Sequence, residues 1–551
     1  MKANLVLKNG IIQTMVGDER VEALAARDGV IIYLGSNEGV KEYEDEATVI
    51  DLEGRYVTPG FIDGHTHDVG RLIQEEEMCY FDKVPADLEE YKKAFKAFLE
   101  AHPNNTFYLG HQLDMNAFPN SFVNNEWLNE LCPDKPIMIT DMSGHCNLFN
   151  KAGMEVVGLS DASENPPGGN IYKYPDGRAT GYVADCDVYK DAFPKLDKTP
   201  EKFKKAFLKF QDICNSYGIT AFDDAGPAIE PADVWKILDD MRKNGELKLR
   251  ANVTSAARGK TRPEDAREMV KLLNEHQYLN SDWLKISQVK HFIDGVPEGH
   301  SAYLLEPYAP EAGEAPDYKG TCLLDPEELK EFVRIVNEAG YQVQIHAMGD
   351  GGVKVSLDAY EYSEEANGPG DYRNIIAHVT LITRDDIDRM ARLKVFGAMQ
   401  PLWWYYDPNF SPLEEQAFGT ERFRTEYNMR TMFDAGVKVT GSMDYPVQPD
   451  FRPLAGIQVG ATQASPYPGQ WDDPKYTRNA DQAVTVREML EVYTVNGAKQ
   501  MRMEDKIGSL EIGKKADLVV LENDLLNCDV HAISTTKVVY TIVDGKVVYK
   551  G

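Results

Sequence analysis

The chain has 551 residues, 42% of them hydrophobic and 27% charged, a globular composition long enough for several domains or for one large barrel with an appendage. Its formal net charge of −30 argues against nucleic acid and anionic membrane surfaces as partners. No run of about 18 apolar residues occurs, which excludes a membrane-spanning helix at the level of the sequence.

The chain opens with "MKANLVLKNGIIQTM", an alternating strand pattern that predicts no secretory leader. Residues 1–58 read as hairpins, with turns predicted at Asn9-Gly10 and Asp28-Gly29. Residues 501–551 have the same texture, with a turn at Asp544-Gly545. A few short strands are marginal alone, so both ends are expected to join in one small β-sandwich.

Between them, residues 59–500 alternate strand and helix. The predicted strands cover 60–65, 218–225, 249–256, 286–295, 341–350, 374–380, 395–401 and 437–444. One helix carries Thr199 as N-cap, Pro200 at its first position and Gly218 after its end; "DPEELKEFVRIVNEAG" repeats those signals. Eight strands alternating with helices predict an α/β fold, a (β/α)8 TIM barrel. The segment at about 69–217 is too long for one connection and is expected to form an insertion over the barrel mouth. Seven scattered cysteines without a CxxC pair suit free thiols in the cytoplasm and argue against a Cys-based zinc site.

Functional residues of such a barrel sit at the C-terminal ends of its strands. The first strand ends in His65 and His67, which share a face because side chains alternate with a period of two. The fourth carries Lys290, the fifth ends in His346, the sixth in His378 and the eighth in Asp444. Nitrogen and carboxylate donors converging at one face suit zinc or a similar divalent metal. Each has a bland alternative: a structural pair for His65 and His67, a strand cap for His346, a core histidine for His378, an exposed N-cap for Asp444.

The order H-x-H, Lys, His, His, Asp on eight strands resembles the amidohydrolase superfamily. "VTPGFIDGHTH" and "GSLEIGKKADLVVLEND" resemble its approach to the first strand and its closing sandwich. "SGHCNLFNKAG", "VKHFIDG", "HAMGDGGV" and "TIVDGKVVY" resemble the YtcJ-like amidohydrolases, which include N-substituted formamide deformylases. The resemblance covers essentially the whole chain. It implies one or two divalent ions, zinc first, and a bridging N6-carboxylysine at Lys290; one metal beside a free lysine is the alternative. His145 matches a subgroup position that faces substrate.

His111 and Asp114 face substrate in the same way or hydrogen-bond within a loop. Gln400, Trp403, Trp404 and Tyr405, in "MQPLWWYYD", are candidates for a pocket wall, with core packing as the alternative. His102, His276, His291 and His531 read as structural, and His300 has no firm role.

The expected reaction is hydrolysis of an amide-type C–N bond in an N-acyl or N-formyl amine or a cyclic amide. Metal-activated hydroxide attacks the carbonyl, His145 helps to polarise it, and Asp444 shuttles the proton to the leaving nitrogen. Competing readings are a deaminase, a lactonase or esterase, and a non-catalytic regulatory protein on the same scaffold. A small-molecule substrate is the expected partner, with neither nucleic acid nor membrane. A homodimer is admitted by the sequence and not fixed by it.

Overall fold

The computed structural model describes residues 2–67, 69–75, 77–81, 87–141, 146–166, 169–184, 186–257, 259–448 and 450–551. They divide into two compact units, one of residues 1–69 and 203–551, the other of residues 70–202.

The larger unit is built around parallel strands in chain order: β1 (Phe61–Thr66), β2 (Ile219–Asp224), β3 (Arg250–Val253), β4 (Gln288–Phe292), β5 (Gln342–Ala347), β6 (Ile375–His378), β7 (Phe396–Met399) and β8 (Lys438–Gly441). Every adjacent pairing in this series is parallel, as strands joined by helical crossovers are. The series is split into two sheets. β3 pairs with Leu284–Lys285, and a separate short strand, Ser255–Ala256, pairs with β4. Side chains span the break: Ser287 Oγ lies 2.8 Å from Asn252 Oδ1 and 3.1 Å from Gln342 Oε1.

A closed ladder is not found: among the described residues no backbone pairing joins β8 to β1. Gln500 joins them instead. Its Nε2 donates to Gly64 O at 2.7 Å, and its Oε1 accepts from Thr440 Oγ1 at 2.7 Å. Gly64 is required at this approach, because a Cβ there would stand 2.6 Å from Thr440 Oγ1.

Helices flank the strands. Asp325 caps Pro326–Glu338 by accepting from the amides of Glu327 and Glu328, and the helix buries Leu329, Phe332, Val333 and Val336. Residues 203–216, expected within the insertion, belong to the larger unit. The reason is packing: Phe207 and Phe210 lie 5.9 and 5.5 Å from the ring of Phe222 on β2.

Strands from both chain ends form two further sheets. Tyr56–Pro59 pairs with Leu518–Leu521 on one side and with Ile11–Gln13 on the other. Leu5, Leu7, Ile12, Leu24, Val57, Leu518, Val520 and Ile542 share one core. Asp28-Gly29 and Asp544-Gly545 turn hairpins with positive φ at both residues. Asn9-Gly10 does not. Only Asn9 has positive φ, and the strands on either side enter different sheets, so this turn is a crossover and not the predicted hairpin.

The second unit is a six-stranded mixed sheet in the spatial order Asn170–Lys173, Ala179–Ala184, Cys146–Phe149, Ile137–Asp141, Tyr108–Leu113, Met78–Tyr80. Its strands alternate between two cores, with Tyr108, Ile137 and Ile139 in one and Leu109 and Met138 in the other. Among the described residues no helix is long and apolar enough to cross a membrane.

Candidate metal centre

Strands β1, β4, β5, β6 and β8 and the turns that follow them bring six polar side chains of the larger unit together, five of them buried and His67 partly exposed. His65 Nε2 and His67 Nε2 lie 3.4 and 3.5 Å from Asp444 Oδ1. Lys290 Nζ lies 3.3 Å from His65 Nε2. The His378 ring stands 5.1 Å from that of His65 and 4.5 Å from that of His346. One ligand atom each from His65, His378 and Asp444 lie within 4.8 Å of one another, and all three residues are buried. His378 and Asp444 hold left-handed backbone, with φ of 78° and 54°, which non-glycine residues rarely adopt.

Burial governs the charges. It holds His65 and His378 well below the ordinary histidine range, reinforced by Lys290 at His65 and by His346 at His378. It lowers His67, against the opposing pull of Asp444, and takes His346 to about 3. It raises the Asp444 carboxyl, opposed by His67 and Lys290, and lowers Lys290 to about 7. The imidazoles are therefore neutral and carry free lone pairs. Among the described residues, Asp444 Oδ1 and His65 Nδ1 are buried with no hydrogen-bond partner. Lone pairs facing lone pairs in a dry site are unfavourable unless a cation sits among them, so the donor set fits a divalent metal of the zinc type.

Other candidates divide. Trp403, partly exposed, stacks on His378 at 5.5 Å and 21°. Trp404 is fully buried. Tyr405 is buried too and donates to Asp407 Oδ2 at 2.8 Å. Gln400, expected to meet substrate, is fully buried with both ends of its amide engaged: Oε1 accepts from His378 Nδ1 at 2.8 Å, and Nε2 donates to Ser442 Oγ at 2.9 Å.

In the second unit, Asp114 is spent within its own turn, accepting from the backbone and side-chain nitrogens of Asn116 at 2.8 and 2.9 Å. His111 stacks on Tyr80 at 5.6 Å. His145 lies outside the described residues. His102 and His276 hydrogen-bond carbonyls of their own helices, and His300 pairs with Glu314.

Sequence reasoning missed the support behind the ligands. Asp294, close to His346 at 3.7 Å, accepts backbone amides of Tyr303, Met348 and Gly349, and so ties the loops after β4 and β5 together. The nearest signal was its place in "HFIDG", where a carboxylate follows an apolar strand end. Ser442, two residues before Asp444, gave no signal at all.

The amidohydrolase family model matches residues 48–549. A Bacillus subtilis (strain 168) protein named as the amidohydrolase YtcJ is 26% identical over the full length of both chains. The N-substituted formamide deformylase of Arthrobacter pascens is 24% identical, over 99% of this chain and 98% of that one. A solved metal-dependent hydrolase from Pyrococcus furiosus superposes with a TM-score of 0.72 at 22% identity, over 95% of this chain and all of the other, a likeness of fold.

Proposed function

The chain belongs to the amidohydrolase family, and from that premise we propose that it is a metal-dependent hydrolase of an amide-type C–N bond in an N-acyl amine, an N-formyl amine or a cyclic amide. The observation that carries the reading is the buried meeting of His65, His378 and Asp444, with an Asp444 oxygen that has no hydrogen-bond partner among the described residues. The choice of C–N bond is supported by the relative named as an N-substituted formamide deformylase. Gln500, linking Gly64 to Thr440, supports reading the eight strands as a (β/α)8 barrel with the centre at their C-terminal ends.

His65, His67, His346 and His378 would hold the metal, zinc by preference. When bound, such an ion supplies a Lewis acid for the carbonyl oxygen and acidifies water for attack. Asp444 takes the proton of the attacking water. The same carboxyl then delivers that proton to the departing nitrogen, which leaves as a neutral amine and not as an anion. Burial raises the basicity of Asp444, as this exchange requires.

Lys290 at about 7 has a substantial neutral fraction at neutral pH. Its Nζ lone pair can add to the carbon of CO2 with loss of one proton, giving an N6-carboxylysine whose oxygens add anionic donors. The unmodified lysine beside a single ion is the other arm of the test. Seven free cysteines support a reducing cytoplasm as the compartment. A small molecule is the partner proposed, and a homodimer is to be tested by sedimentation.

The experiment is metal analysis of protein purified without chelator, followed by a screen of N-formyl and N-acyl amines with lactones and amino-heterocycles alongside. Bound metal and release of amine are expected. Protein free of metal and inert on all amides would overturn the proposal, and turnover confined to lactones or heterocycles would move it to another bond.

A further inference from the structure

We infer that Gln400 is a positioning residue that fixes the tautomer of His378, placing the proton on Nδ1 and the lone pair on Nε2. The inference rests on the reading of His378 as a metal-holding residue and adds how that residue is prepared for the task.

The two ends of a glutamine amide have the same shape, so their partners decide which is which. Gln400 follows β7 and is fully buried. Its Nε2 lies 3.3 Å from Ala398 O and 2.9 Å from Ser442 Oγ. A carbonyl only accepts, so the nitrogen must face Ala398. Ser442 Oγ lies 3.4 Å from Met399 O; donating there leaves it a lone pair for the Gln400 amide. The Gln400 oxygen is thereby turned to His378 Nδ1, at 2.8 Å. An oxygen there requires a proton on Nδ1, and a neutral imidazole then has its lone pair on Nε2.

The same turn fixes the ring plane. Trp403 donates its backbone N–H to Gln400 O at 2.9 Å and lays its indole on the His378 face. One edge and one face of the imidazole are thus held by one segment, Gln400–Trp403. That explains how a histidine with φ of 78° keeps a single orientation. A ligating histidine whose other nitrogen is fixed in this way is a better ligand.

Long-range 1H–15N spectra of 15N-histidine-labelled enzyme, as purified and after chelation, test this, with His378 assigned by loss of its signals in His378→Asn. The wild-type ring should be the Nδ1–H tautomer in both states. Gln400→Leu, similar in bulk without an acceptor, should mix the tautomers and weaken metal binding by about 10–100-fold in chelator competition. Gln400→Glu keeps an acceptor for Nδ1, at the cost of an oxygen set against Ala398 O, and should hold the Nδ1–H form and bind metal more tightly than Gln400→Leu, a rescue that mere packing would not give. A Gln400→Leu protein with unchanged tautomer and metal affinity would overturn the inference. If that variant does not fold, Gln400→Met, flexible and with only a weakly accepting thioether, decides: an unaltered His378 tautomer and metal affinity there would overturn the inference. Wild-type protein that takes up no metal defeats the metal-centre reading, while the tautomer of the metal-free protein still decides the role of Gln400.

Discussion

Oδ1 of Asp444 stands 3.4 Å from Nε2 of His65, and among the described residues that oxygen has no hydrogen-bond partner. Lys290 Nζ lies 3.3 Å from the same His65 nitrogen, but burial takes Lys290 to about 7, which weakens it as a permanent counter-charge. An ion that binds the folded chain and not the unfolded one stabilises it by mass action, about 2.7 kcal/mol at a free concentration of 100 Kd. Chelation should therefore abolish turnover and lower the thermal midpoint, and zinc should restore both. A midpoint and turnover indifferent to exhaustive chelation would reject the metal centre.

Asp444→Asn should leave the fold nearly intact, since the side chains are close to isosteric. Asn cannot accept the proton, so turnover on a confirmed substrate should fall by roughly 10²–10⁴-fold, the usual share of general acid–base catalysis. Metal content must be measured in the same samples. Near-normal turnover by a metal-replete variant would place the base elsewhere. Asp294 and Asp350, the acidic residues just beyond β4 and β5, are poorly placed for that role, because Asp294 already accepts three backbone amides and Asp350 holds the amide of Leu305 at 2.9 Å.

Lys290→Ala should lower metal content if a carboxylated lysine helps to hold the ions, and an excess of a short carboxylic acid should restore part of the activity. The wild-type protein would then show density beyond Nζ and two metals about 3.5–4 Å apart. An unmodified Lys290 beside one fully occupied ion discards the two-metal version and leaves hydrolysis standing.

The convergence of His65, His67, His346, His378 and Asp444 was readable because each follows or closes an apolar strand pattern, and strand ends meet in space whatever their separation in the chain; Lys290, in the middle of β4, was read from the resemblance. The roles of Gln400 and Trp404 were not. Both sit in one polar-aromatic run, and only tertiary packing decides that the amide turns inward to His378 and that one of two adjacent tryptophans is fully buried. The Asn9-Gly10 turn misled for a similar reason. A turn signal says that the chain bends, and the choice between pairing back and crossing to another sheet is made by distant partners, here Ala23–Arg27 and Tyr56–Pro59.

His291 should make the fold acid-sensitive. Its ring is buried against Phe332 at 4.5 Å, neither ring nitrogen has a hydrogen-bond partner, and burial lowers it from 6.5 to about 4. The unfolded chain takes up a proton below pH 6.5 while the folded chain stays neutral down to about 4. Stability from this group is thus whole above 6.5 and is lost as pH falls through that window, about 2 kcal/mol by pH 5. His291→Leu should flatten the fall in thermal midpoint between pH 7 and pH 5. An identical fall in the variant would assign the acid sensitivity to other groups.

Arg250 opens β3 with no exposure to solvent, and its carboxylate partners Asp517 and Asp544 come from the far end of the sequence. Its Nη2 donates to Asp517 Oδ1 at 2.9 Å and its Nη1 to Asp282 O at 2.7 Å, while Trp283 stacks beneath the guanidinium at 4.4 Å. Asp517 immediately precedes the strand Leu518–Leu521, so the ion pair ties the parallel strands to the terminal sheets. Removing one member strands the other charge in a dry site, and Arg250→Ala should be destabilising by about 3–5 kcal/mol. Arg250→Lys keeps the charge but not the planar fork, and should fall between wild type and Ala. The double variant Arg250→Met/Asp517→Leu leaves no stranded charge, so it should be more stable than Arg250→Ala even though it loses the contact of Asp517 with the Asp544 amide. Thermal midpoints of the three variants decide it: a double variant no better than Arg250→Ala would mean that the pair matters for its geometry and not for the charge left behind.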